Sequence, residues 1–156
     1  QNRGHGFALP ASHVNPANLV APGKRPFHTI IPAFLTRPGV DGGLEPVMSF
    51  GVMGANMQPQ GHVQTLVRLL NHGQSLQAAC DAPRWRFNTG LSINVEAGMD
   101  APTVAGLRAL GHQVDVLQDV YQDFGAGQFI WRLGNPAEHG YVAASDPRRD
   151  GLAAGW

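Results

Sequence analysis

The sequence holds one cysteine, Cys80, among its 156 residues. A lone thiol excludes an internal disulfide and a cysteine-based zinc site. Charge is scarce as well: Asp, Glu, Lys and Arg make up 14% of the chain, the formal net charge is zero, and like charges form no block. Nucleic acid and anionic membrane surfaces are held by clustered cations, so both are poor partners for this chain. A surface so poor in charge suits cover by another chain or subunit. No apolar run approaches membrane-spanning length, and the first residues carry no signal-peptide pattern. The compartment stays open between periplasm and cytoplasm. An initiating methionine is also lacking, and the opening Gln1-Asn2-Arg3-Gly4 reads as a fragment or a processed subunit.

What is present points to one domain over residues 1–156, with 1–28 as an extended, Gly/Pro/His-rich loop region. Residues 29–35 read as a strand with Pro32 at an edge or bulge, 37–43 as a turn, and 47–52 as the returning strand. A helix is expected from about Gln60, with Val63, Leu66, Val67 and Leu70 on its buried face, Pro59 in its first turn and Gly73 at its stop. Ser75 and Asp100 read as N-caps of two further helices, the second ended by Gly111. Strands are expected at 91–95, 114–117, 128–133 and 141–144. Mixed strands and helices with an early hairpin favour α+β over a doubly wound sheet.

The run Gly51-Val-Met-Gly-Ala-Asn-Met-Gln-Pro-Gln-Gly61 joins the second strand to the first helix. A chain passing through glycines into a helix presents unpaired backbone N–H groups, which suit an anion or the oxyanion of acyl transfer. An ordinary turn needing glycine for positive φ accounts for the same residues equally well. No Lys-Ser/Thr follows, so this is not a P-loop, and the dinucleotide spacing is missed. The seven histidines share no helix-face spacing and no acidic cluster, so no metal site is expected. No cofactor is expected either. Cys80 sits among Leu76, Ala78 and Ala79 and reads as a core residue. Lys24-Arg25-Pro26-Phe27-His28-Thr29 could bind a carboxylate or be a solvated basic loop. Asp81-Ala-Pro-Arg84 and Ser145-Asp-Pro-Arg-Arg-Asp150 set acid beside arginine around proline, a pattern of loop-pinning ion pairs.

Gly23-Lys-Arg-Pro-Phe-His-Thr-Ile-Ile-Pro32, the Gly51 loop, Asp81-Ala-Pro-Arg84 and Ala144-Ser-Asp-Pro-Arg148 occur in this order over nearly the whole chain. In this the sequence resembles the C-terminal part of the small subunit of the gamma-glutamyltranspeptidase family. The resemblance implies part of a four-layer αββα N-terminal nucleophile hydrolase sandwich. It implies autoproteolytic processing that exposes a threonine, upstream of Gln1, whose hydroxyl attacks and whose α-amine is the base. The partners it implies are a large subunit from the same precursor and a small gamma-glutamyl or other acyl amide such as glutathione. A homodimer of the processed heterodimer is a further expectation.

The same resemblance places the oxyanion hole on Gly54 and Ala55. It places the α-carboxylate ligands on His28 and Thr29, where the family has two serines. The family's aspartate for the substrate α-amino group falls on Gly6, and its loss should weaken recognition of a free amine. Glutaryl-type acyl groups lack that amine, and Arg3 and His5 are candidates to meet their carboxylate. The alternative is a catalytically inactive fragment or ligand-binding module that retains the fold.

Overall fold

A computed structural model describes residues 19, 21–25 and 29–155. Two compact units are distinguished, residues 1–30 and 31–156. In the first, Lys24 Nζ donates to Leu19 O at 2.9 Å. Most of the loop expected over 1–28 lies outside the described residues.

In the second unit, strands β1 (Ala33–Pro38) and β2 (Leu44–Met53) form the expected antiparallel hairpin. Its turn closes on Asp41, whose carboxylate accepts from Gly43 N at 3.0 Å, while Gly42 takes φ +81°, a conformation that costs glycine nothing. Strands β6 (Ala126–Arg132) and β7 (Tyr141–Ser145) complete a four-stranded antiparallel sheet in the order β1-β2-β6-β7. Alternate residues of β2 point to one face, so Met48, Phe50 and Val52 are buried together with Phe129 and Ala144. Helix α2 (Leu76–Asp81) closes this core with Leu76 and Cys80, its N-cap Ser75 accepting from Ala78 N.

A second sheet has the order β3-β4-β5, from β3 (Trp85–Thr89), β4 (Ser92–Glu96) and β5 (Gln113–Leu117). Strands β4 and β5 run parallel and are joined through α3 (Ala101–Ala109), capped by Asp100 on Thr103 N at 2.9 Å. Val104 of α3 packs on Ile93, Val95 and Val114. Strand β3 and the short helices α4 (Val120–Asp123) and α5 (Pro136–His139) were not expected from sequence.

Helix α1 (Met57–Leu66) continues through a π-helical turn, Val67–Asn71, and Gly73 follows with φ +63°. The helix is where expected and Leu66 packs against the core of the four-stranded sheet, but the rest of its buried face is different. Val63, Val67 and Leu70 are 58%, 40% and 55% exposed, whereas Met57, Gln58, Gly61, Gln64 and Thr65 are buried. Polar pairing and close backbone approach override the apolar stripe. Gln64 exchanges hydrogen bonds with Trp85 N and O at 3.1 and 2.8 Å, and Gln60 does so with Phe87 N and O at 2.7 and 3.4 Å. One helical turn apart, these two amides complete the free edge of β3 as a neighbouring strand would. Gly61 lets the helix touch β2, since a Cβ there would lie 2.6 Å from Val52 Cγ1.

His62 completes the seating by accepting from Val52 N through Nε2 at 2.9 Å. Burial lowers its pKa, so the neutral ring is the form the fold selects. The sign follows: this contribution is complete above the unfolded histidine value of about 6.5 and is lost as pH falls, because protonated Nε2 cannot accept. Thermal melts from pH 8 to pH 5 should therefore show an acid-side loss of about 1 kcal/mol that a His62→Gln variant lacks.

The outer face of the four-stranded sheet is uncovered in this unit. Phe34, Ile130 and Tyr141 are 64%, 51% and 60% exposed there, around a shallow groove of about 290 Å³ that also includes Ser49 and Arg132.

Candidate active site

Strand β2 ends at Met53 and α1 begins at Met57, so three residues turn the chain. Gly54 and Ala55 both take positive φ, +133° and +50°, and Ala55 is the one non-glycine that does so among the described residues. An L-residue in the left-handed region is strained by about 1–2 kcal/mol. Their carbonyls are used: Gly54 O accepts from Met57 N at 2.8 Å and Ala55 O from Gln58 N at 3.1 Å. Their N–H groups have no partner among the described residues. Gly54 is half-buried and Ala55 exposed, and the sheet-face groove lies elsewhere. Two adjacent free donors at a strained strand-to-helix junction can hold one oxygen that gains negative charge.

The loop rests on glycine. A Cβ on Gly54 would lie 2.9 Å from Gly125 Cα, so the two backbones touch where β2 meets the start of β6. Behind this contact lies a buried ionic cluster built from both acid–proline–arginine motifs. One pairing is within a motif, Arg148 with Asp146, and another runs between the motifs, Arg84 with Asp146. Arg84 Nη2 donates to Asp146 Oδ2 at 2.7 Å, with both side chains fully buried. Arg148 donates to Asp146 Oδ1 at 3.0 Å and to Glu96 Oε2 at 2.6 Å. Glu96 also accepts from Arg84 N at 2.6 Å. Two cations thus face two carboxylates, and backbone groups take up most of the remaining positions, Arg84 Nε being left without a partner among the described residues. Arg84 Nη1 donates to Phe124 O at 3.0 Å, Gly127 N to Asp146 Oδ2 at 2.7 Å, and Arg148 to Cys80 O and Ala82 O at 3.0 Å each.

Burial works against the charge of Asp146, but Arg84, the N–H groups of Gly127 and Arg148, and the Arg148 guanidinium outweigh it. They hold the carboxyl below its ordinary range. Burial likewise opposes the charge of Arg148, and Glu96 and Asp146 more than restore it. Asp81 stays outside the cluster and takes a bond from Gln77 at 2.7 Å.

Cys80 is fully buried beside this cluster, and burial together with Asp146 pushes its thiol up to about 12. It is a core residue and not a nucleophile. Iodoacetamide at pH 8 should label native protein more than about a hundredfold slower than unfolded protein. Mass spectrometry of timed samples checks this.

Of the other residues singled out from sequence, Thr29 is exposed and belongs to the first unit. Arg3, His5, Gly6 and His28 lie outside the described residues. Glu96 and Gly125 were not expected as partners of the site. A strand-end glutamate carries no sequence signal, whereas Gly125-Ala-Gly127 at the start of β6 is a close-approach pattern that does.

The chain matches the gamma-glutamyltranspeptidase family over residues 1–156. The oxamate amidohydrolase proenzyme of Klebsiella pneumoniae subsp. pneumoniae is 37% identical, covering 100% of this chain and 28% of that protein. The glutathione hydrolase-like YwrD proenzyme of Bacillus subtilis is 32% identical, covering 99% and 28%. The chain therefore spans about 28% of the length of these curated relatives. Among solved structures, the cephalosporin acylase from Bacillus halodurans matches with a TM-score of 0.78 and 42% identity, covering 100% of this chain and 27% of that one. A gamma-glutamyltranspeptidase mutant from Pseudomonas nitroreducens has a TM-score of 0.72 at 22% identity, covering 97% of this chain and 77% of that one; this is a likeness of fold. Mixed α/β architecture, ordered motifs and these matches agree, and the chain belongs to the gamma-glutamyltranspeptidase family.

Proposed function

We propose that these residues form part of an N-terminal nucleophile amide hydrolase or acyltransferase, with the Gly54 and Ala55 amides as its oxyanion hole. The observation that carries this reading is the pair of N–H groups, partnerless among the described residues, on positive-φ backbone between β2 and α1. The threonine nucleophile and the large subunit come from the same precursor, outside these 156 residues. The threonine hydroxyl attacks the acyl carbonyl carbon while its α-amine takes the hydroxyl proton. As the C–O bond forms, the carbonyl oxygen becomes negative against the two amides. Collapse breaks the C–N bond, and the leaving amine takes the proton from the α-ammonium. Water or a second amine then attacks the acyl ester and releases the threonine.

Gly6 supplies no carboxylate for a substrate ammonium, which favours glutaryl-type acyl groups over gamma-glutamyl ones. The relatives differ by name in what they act on: an oxamate amidohydrolase, a glutathione hydrolase-like protein and a cephalosporin acylase. The test is turnover of glutaryl and gamma-glutamyl p-nitroanilides by the complete processed protein. Glutaryl turnover at higher kcat/KM is expected. Preference for the gamma-glutamyl compound overturns the substrate assignment, and inertness to both leaves the binding module as the reading.

A further inference from the structure

We propose that Gly125 is a positioning residue that sets the direction of the Gly54 amide. The proposal rests on the oxyanion reading above. Gly125 is buried, takes φ +68°, and precedes β6. A Cβ on it would lie 2.0 Å from Met53 O, 3.2 Å from Met53 C and 3.3 Å from Val52 Cγ1. The Met53 carbonyl and the Gly54 N–H belong to one planar peptide group. Displacing that oxygen therefore swings the N–H that faces the reacting carbonyl. Glycine at 125 leaves room for the one orientation in which the donor points out of the loop.

Gly125 cannot retreat, because its neighbours are clamped. Phe124 O is held by Arg84 Nη1 at 3.0 Å and Gly127 N by Asp146 Oδ2 at 2.7 Å. The buried Arg84–Asp146 pair thus acts on the oxyanion loop through the Phe124–Gly127 segment. A misaimed donor raises the barrier to the oxyanion more than it weakens ground-state binding, so the effect belongs in kcat.

The experiment compares Gly125→Ala with Gly90→Ala in the complete processed protein, on the anilide that the wild type turns over. Gly90 also has a left-handed φ, +56°, but an added Cβ there meets nothing within 4 Å. It controls for backbone strain. Gly125→Ala should lose about 10–100-fold in kcat with KM within about threefold of wild type, while Gly90→Ala keeps wild-type kcat. Wild-type kcat in Gly125→Ala, or an equal loss in both variants, overturns the proposal. If melting curves show that Gly125→Ala does not fold, Arg84→Lys is read in the same assay. It keeps a cation but loses the fork to Phe124 O and Asp146. A fall in kcat at unchanged KM supports the proposal, and an unchanged kcat overturns it. A wild type inert to both anilides sinks the acyl-transfer reading and this one with it. An active wild type with unimpaired variants sinks this one alone.

Discussion

Asp146→Ala is expected to cost about 3–5 kcal/mol of stability, the largest loss from any single truncation in the ionic cluster. The carboxylate has no exposed surface and receives Arg84, Arg148, and the N–H groups of Gly127 and Arg148. Removing it leaves the fully buried Arg84 guanidinium without its counter-charge and the Gly127 N–H without an acceptor, and the second penalty alone is about 1–3 kcal/mol. The four side chains of the intact cluster balance in charge, so its net contribution is modest, but breaking it is costly. The pH dependence has a definite sign. The folded-state pKa of Asp146 is depressed, so its contribution is full above the unfolded value of about 3.9 and is lost as pH falls below it. Urea denaturation at pH 7 measures the first effect. Repeating it between pH 5 and pH 3 measures the second, whose slope should flatten in Asp146→Ala.

Gly54→Ala is expected to lower kcat by about 10²–10³-fold, with a small change in KM. The added Cβ meets Gly125 Cα at 2.9 Å and Met57 Cβ at 3.2 Å, and φ +133° is a conformation that L-residues avoid. The peptide must rotate, and one oxyanion donor rotates with it. Ala55 sits at φ +50° and already carries such strain, so Ala55→Gly should keep full activity. Opposite outcomes at neighbouring positions separate loss of the donor from loss of the side chain. Steady-state kinetics of both variants reads the difference.

Local features were legible in the sequence because their causes are local. The Ser75 and Asp100 caps, the Asp41–Gly43 turn and the β1–β2 hairpin each follow from a few adjacent residues. The face of α1 was not legible. Its apolar stripe suggested burial of Val63, Val67 and Leu70, while Gln60, Gln64 and His62 seat the helix by bonding backbone at positions 85, 87 and 52. No periodicity encodes a glutamine amide standing in for a strand. Strand β3 was missed for a related reason: its outer edge is completed by those side chains, and Trp85 and Phe87 follow a proline–arginine pair that reads as loop. The arginine motifs suggested ion pairs, and Asp146 does meet Arg148 two residues on, but the other pairings cross long stretches of chain. Spacing could not show that Arg84 meets Asp146 or that Arg148 meets Glu96. At the site, glycine content and a strand-to-helix passage marked the Gly51–Gly61 loop as a place for backbone donors, and the family resemblance implied positions 54 and 55 within it. The role of Gly125 needed coordinates, because it depends on contact between backbones far apart in sequence.

The exposed faces of α1 and of the four-stranded sheet bear on how these residues are used. Val63, Val67 and Leu70 on one side, and Phe34, Ile130 and Tyr141 on the other, leave apolar surface open to water in the second unit. Cover by the remainder of a larger protein fits both the low charged fraction and the proposed large subunit.

The most direct measurement is a crystal structure of the complete processed protein bearing an acyl boronate, whose tetrahedral adduct stands in for the acyl-transfer intermediate. The account predicts a boronate oxygen about 2.7–3.1 Å from both the Gly54 and Ala55 nitrogens. A tetrahedral adduct whose oxygens all find donors elsewhere, with these two amides left facing solvent, would contradict it.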